Sequence, residues 1–337
     1  MSKELKRRRL IVSLLVFVCV VGLVASYGCG KKETKVEKLK IALILPSTKD
    51  DMSWSQGMYD GVMAAQKELG VDNVEVSVTE QMPDPVNAGA AIRDYANKGY
   101  NIIIAHGSQY QNSVMEVAKD FPNITFAYGT AYQTAPNVFA YDEDSQDGGY
   151  IFGVLAAKLT KTKIVGIVGP VKTGDAIKYN YGFKQGVESI DPAIKILESY
   201  TGSFGDTIKA KEMATAQIDA GADILTGTAQ QTPGAIQAVS EKAGVYWFAS
   251  DVDQSPLAPD HVIASEVYGW KDAMLYMIDN FKKGKLGGEV IKLSLANGRI
   301  KIVFNPKLKT LITPEIEKLF NETVEKIKNG SIKVKLP

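Results

Sequence analysis

The chain has 337 residues, with 39 Lys+Arg against 38 Asp+Glu, 45% hydrophobic residues, 30 Gly and two Cys. The apolar share excludes a disordered chain, two cysteines exclude a disulfide-stapled mini-fold, and a formal net charge of +1 lacks the basic excess of a nucleic-acid binder. The length exceeds what one compact core normally holds, so two lobes are expected.

Charge is unevenly placed from the start. Lys3, Lys6, Arg7, Arg8 and Arg9 stand with a single acid, Glu4, ahead of an apolar run over 10–25. A positive segment, an apolar segment of this length and small residues after it form the pattern of an export signal, expected over 1–28. Ser26-Tyr27-Gly28-Cys29-Gly30 then resembles a lipoprotein lipobox, with Cys29 as the acylated residue and 29–38 as a polar tether. Ser26 and Tyr27 depart from the usual Leu and small residue, which leaves an uncleaved membrane anchor or ordinary secretion as alternatives. Residues 1–28 carry five of the basic and one of the acidic residues; the remainder holds 34 and 37, a net charge of −3. Its one cysteine is Cys29, so thiol nucleophiles, cysteine zinc sites and disulfides drop out. The expected location is the extracytoplasmic face of the cell membrane, held by lipid.

Beyond the tether, the apolar run 40–45 ended by Pro46 predicts a strand buried on both faces of a parallel sheet. A helix over 53–69 follows, with Met58, Val62, Ala65 and Leu69 as its apolar face and Gly70 as its stop. Strands at 74–78, 101–105, 124–128 and 138–141 alternate with helices at about 84–98 and 111–120. After a helix near 146–159 the order restarts: strands at 163–168, 194–198, 223–226, 246–249 and 261–264, with helices between them. A helix over 269–282, strand-like stretches 289–296 and 299–304 and a helix over 314–328 complete the chain. The expected fold class is α/β, with two doubly wound parallel-sheet lobes joined by a hinge. The lobes are expected over 39–141 with 266–290, and over 142–265 with 291–330.

Ligands of parallel α/β sheets sit beyond the carboxyl ends of the strands, and two lobes facing through those ends form a cleft that closes by hinge bending. Residues just after strands are therefore the candidates. In Asp50-Asp51-Met52-Ser53-Trp54, Ser53 reads as an ordinary helix cap, whereas Trp54 is either a ring stacked on ligand or packing between lobes. Tyr110, Gln230 and Gln231 follow strands and offer hydroxyl or amide contacts. His106 also follows a buried strand and lines or supports the cleft.

The segment 41–61 with its Asp51-Met52-Ser53-Trp54, the run Val117-Ala118-Lys119-Asp120-Phe121-Pro122-Asn123, the stretch Gly149-Tyr150-Ile151-Phe152-Gly153, and Gly202-Ser203-Phe204-Gly205-Asp206 together resemble the basic membrane protein family. So do Gly221-Ala222-Asp223-Ile224 and Ser250-Asp251. These are substrate-binding lipoproteins of ABC importers for purine nucleosides and related bases. The resemblance implies a type I periplasmic-binding-protein fold, a monomer, and permease and ATPase subunits as partners. It also implies that Trp54 and Phe204 sandwich a flat heterocycle, that Asp51 accepts from base or sugar donors, and that Asp142 and Asp251 contact ligand. Hinge or turn capping is the alternative for the last two. Where the nucleoside-binding branch has a ribose-contacting Lys, this chain has Tyr268, followed by Gly269-Trp270. That difference favours a ribose-free purine such as adenine, with Trp270 either near the ligand or on the inner face of its helix.

Catalysis finds little support. Gly169-Pro170-Val171-Lys172-Thr173-Gly174-Asp175 imitates a phosphate loop but has Asp175 where the Lys is required. Nucleophile-elbow and zinc-helix motifs are absent. The expected function is therefore a non-catalytic, membrane-tethered receptor for a purine base or nucleoside, with no metal, cofactor or nucleic acid. The same fold tuned to a sugar, flavin or signalling molecule is one alternative, and a nucleoside hydrolase or phosphorylase is another.

Overall fold

The computed structural model describes residues 38–336; the expected signal segment and Cys29 lie outside the described residues. Two six-stranded sheets build the two lobes. The first half supplies β1 (Leu39–Ile44), α1 (Trp54–Leu69), β2 (Val74–Thr79), α2 (Pro85–Asn97), β3 (Ile102–Ala105), α3 (Gln111–Ala118), β4 (Thr125–Gly129) and β5 (Val138–Glu143). The second supplies α4 (Ser145–Leu159), β6 (Ile164–Gly169), α5 (Gly174–Ile190), β7 (Lys195–Tyr200), α6 (Thr207–Asp219), β8 (Ile224–Gly227), α7 (Thr232–Ser240), β9 (Tyr246–Ala249) and β10 (Val262–Tyr268). Then come α8 (Trp270–Lys282), β11 (Val290–Leu293), β12 (Ile300–Phe304) and α9 (Pro314–Lys328).

The strand orders are β11-β5-β4-β3-β1-β2 and β12-β10-β9-β8-β6-β7, so the second half repeats the first. All pairings in the first sheet are parallel, with Ile41 opposite Ile102 across β1 and β3; in the second only β12 runs antiparallel, against β10. Ile41 to Leu45 have no exposed surface, as expected for a strand covered on both faces by crossover helices.

The chain passes between the sheets at 143–145, 268–270 and 293–300. These crossings lie two or three residues later than the expected lobe boundaries. Residues 266–268 still pair with β12 in the second sheet, and β11, expected in the second lobe, pairs with β5 in the first. A boundary placed by strand order alone misses such last residues, because a strand keeps its ladder until the chain has cleared the sheet.

Helix α4, entered at the first crossing, lies against α5 at backbone distance. A Cβ added at Gly149 or Gly153 would meet the carbonyl oxygens of Tyr179 and Phe183, and one at Gly182 or Gly186 those of Gln146 and Tyr150. Two pairs of glycines, each spaced by one helical turn, let these helices mesh. Likewise α8 returns to the first lobe against α1, where a Cβ at Gly61 would stand 2.4 Å from Trp270 Cβ.

Candidate ligand-binding cleft

A cleft of about 670 Å³ opens at the carboxyl ends of both sheets. Such a volume lies within the range of about 300–1,000 Å³ usual for small-molecule sites. The first lobe lines it with Ser47 after β1, Trp54 at the start of α1, Ser108 and Gln109 after β3, and Thr130 after β4. The second lobe adds Ser203, Phe204 and Gly205 after β7, and Gln230 after β8. Trp54 and Phe204 thus face one cleft from opposite lobes. Phe204 is 39% exposed and Trp54 only 8%.

Trp54 is held from behind. The imidazole of His106 stacks on its indole with centroids 4.1 Å apart and planes 9° from parallel. Trp54 Nε1–H donates to the His106 carbonyl at 3.2 Å, and His106 Nε2 bonds the Trp54 carbonyl at 3.0 Å. A carbonyl only accepts, so Nε2 carries the imidazole proton and Nδ1 accepts from Tyr141 Oη, 2.8 Å away. Complete burial pulls the His106 imidazole down to about 3, so the ring is neutral.

Tyr268, expected near the ligand, and Trp270, expected either there or on the inner face of its helix, pack around Trp54 and are not among the residues lining the cleft. Trp270 is 1% exposed and presents its ring edge-on to Trp54 and Tyr141, at 5.4 and 5.2 Å. Tyr268 lies edge-on to Trp54 at 6.3 Å, and its hydroxyl donates to Glu266 at 3.4 Å. A Cβ at Gly57 or Gly61 of α1 would crowd Trp270, so these glycines leave the room its ring occupies.

Asp51, expected to contact ligand, and Asp142 and Asp251, expected to contact ligand or to cap a hinge or turn, each bond to groups of the protein. Asp51 accepts from the amides of Ser53 and Gln56 at 3.0 Å and of Ser55 at 3.2 Å, so this carboxylate caps α1. Burial pushes the Asp51 carboxyl up, and those amides oppose the shift. Asp142, inside β5 rather than after it, accepts from Lys178 Nζ at 2.8 Å and from Lys292 Nζ. Lys178 also donates to the Glu143 carbonyl, so the first crossing is held by charge. Asp251 accepts from Ser53 Oγ of the other lobe and from Thr228 Oγ1 at 3.5 Å. Beside it, Gln254 Nε2 donates to the Met52 carbonyl at 2.7 Å and to Thr232 Oγ1 at 2.8 Å, a second link between lobes.

Tyr110 is fully buried in the first lobe, donating to the Met82 carbonyl at 2.6 Å; burial drives its phenol well up. Gln231 is likewise buried, its amide donating to the Val168 carbonyl at 3.0 Å and accepting from Thr201 Oγ1 at 2.7 Å. Of the expected site residues, Trp54, Phe204 and Gln230 line the cleft together. Ser47, Ser108, Gln109, Thr130 and Ser203 were not anticipated. Their position after strands was the available signal, but hydroxyls and amides are common in any loop.

Among the described residues, no helix is long and apolar enough to cross a membrane, and no cluster of His, Cys, Asp and Glu could hold a metal ion. Comparison with known proteins agrees with the architecture. A purine-binding protein of Brucella abortus (strain 2308) is 30% identical over 263 residues, covering 78% of this chain and 73% of that protein. Basic membrane protein A1 of Borrelia garinii subsp. bavariensis is 28% identical over 304 residues, 87% of each chain. The solved ABC transporter solute-binding protein of Aeropyrum pernix K1 superposes with a TM-score of 0.78 at 20% identity, covering 89% of this chain and 94% of that one. Residues 38–336 match the family described as ABC transporter substrate-binding protein PnrA-like. The chain therefore belongs to the Bmp family of ABC transporter substrate-binding proteins, which bind solutes and are not enzymes.

Proposed function

We propose that this protein is an extracytoplasmic lipoprotein, anchored through Cys29, that captures a purine nucleobase or nucleoside and delivers it to the permease and ATPase of an importer. The observation that carries the reading is the placement of Trp54 and Phe204 on opposite lobes of one cleft. Hinge closure on a flat heterocycle would bring a ring to each of its faces. The relative named as purine-binding supports the same ligand class.

Stacking contributes about 1–3 kcal/mol per face, so two faces give about 2–6 kcal/mol before ordering costs. Micromolar affinity needs about 8 kcal/mol. Hydrogen bonds from Ser47, Ser108, Gln109, Thr130, Ser203 and Gln230, at about 0.5–1.5 kcal/mol each, are well placed to supply the remainder. With the three aspartates engaged elsewhere, recognition of the ring edges falls to these hydroxyls and amides. The test is competition binding of adenine, adenosine, riboflavin and ribose to the purified protein. Adenine or adenosine should raise the melting temperature and displace the others, and adenosine should be recovered intact. A shift with riboflavin or ribose alone would contradict the proposal.

A further inference from the structure

We infer that His106 is a positioning residue for purine binding: its imidazole covers the rear face of Trp54, so that the indole offers ligand one fixed face. The inference rests on the proposed purine site, and it gives the two rings of that site different tasks.

A tryptophan free on both faces can turn, and it offers ligand two stacking surfaces. Here one face is occupied by a parallel ring at 4.1 Å. The two residues also exchange hydrogen bonds, indole N–H to the His106 carbonyl and imidazole N–H to the Trp54 carbonyl. That exchange fixes the indole torsions and the imidazole tautomer together. Tyr141 Oη completes the imidazole, and Trp270 stands at right angles to both rings, 5.4 Å from Trp54 and 5.1 Å from His106. Trp54 borders the cleft, whereas His106 is fully buried and does not line it. Phe204, on a glycine-flanked loop and 39% exposed, has no comparable backing among its described contacts. Trp54 is thus the anvil, ordered before ligand arrives, and Phe204 the moving part.

Ordering an aromatic side chain in advance removes a cost otherwise met on binding, an effect on the order of threefold to tenfold in affinity. Two variants separate the functions of His106. His106→Phe keeps a ring against Trp54 and loses both side-chain hydrogen bonds; His106→Gln keeps an amide donor and loses the ring. Each should weaken adenine binding by about threefold to tenfold. Neither should weaken it further in a Trp54→Ala background, because the effect acts through that indole. A lowered melting temperature with unchanged affinity, or an equal affinity loss in both backgrounds, would overturn the inference and leave His106 a packing residue.

A readout without ligand decides the same point. The Trp54 fluorescence, isolated by subtracting the Trp54→Phe spectrum, should become severalfold more open to acrylamide quenching in His106→Gln. Unchanged quenching would overturn the inference. If the parent protein binds no purine, the functional proposal fails, and this quenching comparison still decides whether His106 holds the ring.

Discussion

Ser53 Oγ of the first lobe donates to the Asp251 carboxylate of the second, one residue before the indole that lines the cleft. Both residues are buried, so the bond ties lobe closure to the start of α1. Ser53→Ala removes a donor from a buried carboxylate, a change worth about 1–3 kcal/mol. The expected result is weaker purine binding, with a larger radius of gyration by small-angle scattering. Scattering and affinity both unchanged would show that the link has no part in closure.

The ring pair sets the stacking energy. Trp54→Ala and Phe204→Ala should each reduce purine affinity by about 1–3 kcal/mol, measured calorimetrically. Trp54→Ala should also lower stability, because it leaves a void against His106 and Trp270, whereas Phe204→Ala should leave the melting temperature near that of the parent.

At the first crossing, Asp142 is buried between two lysines of unequal exposure: the Lys178 side chain is 9% exposed and that of Lys292 is 47%. Removing one partner of a buried pair costs about 3–5 kcal/mol, while a half-exposed pair contributes about 0–1 kcal/mol. Lys178→Met should therefore lower the urea midpoint far more than Lys292→Met. Equal effects would mean that the two lysines hold Asp142 alike and that burial does not set their difference.

Stability should depend on pH through two groups of opposite sign. His106 is pulled down to about 3, so its contribution is fully present above its unfolded value of 6.5 and is lost as pH falls through about 3. Asp147, in the first turn of α4, is pushed up to about 7 by burial and then by the Asp144 charge. Its contribution is fully present below 3.8 and is lost as pH rises through about 7. Urea midpoints between pH 4 and pH 8 test both. Asp147→Asn should remove the loss on the neutral side, and His106→Phe should flatten part of the decline on the acid side. Parent-like slopes in either variant would contradict the assignment for that group.

Much of the architecture was legible because buried strands and amphipathic helices announce themselves by period, and the repeated order marked two lobes. Trp54 was legible as a large ring in the first turn of a helix on the cleft side, and Phe204 only through the family resemblance of the stretch 202–206. The aspartates were not, because a carboxylate after a strand serves a ligand, a helix amide or a distant lysine equally well. Lys178 and Lys292 lie 36 and 150 residues from Asp142 in sequence, and no local pattern links them. Tyr268 and Trp270 flank the point where β10 hands over to α8, and the room for Trp270 is left by Gly57 and Gly61 of another helix.

The proposed function places a purine between Trp54 and Phe204. It is tested most directly by native mass spectrometry of the protein purified without denaturation, then stripped of ligand and reloaded with adenine. The expected result is a retained or reloaded mass increment equal to one purine base or nucleoside, lost in the Trp54→Ala, Phe204→Ala double variant. A retained sugar or flavin, or adenine loading unaffected by the double variant, would contradict it.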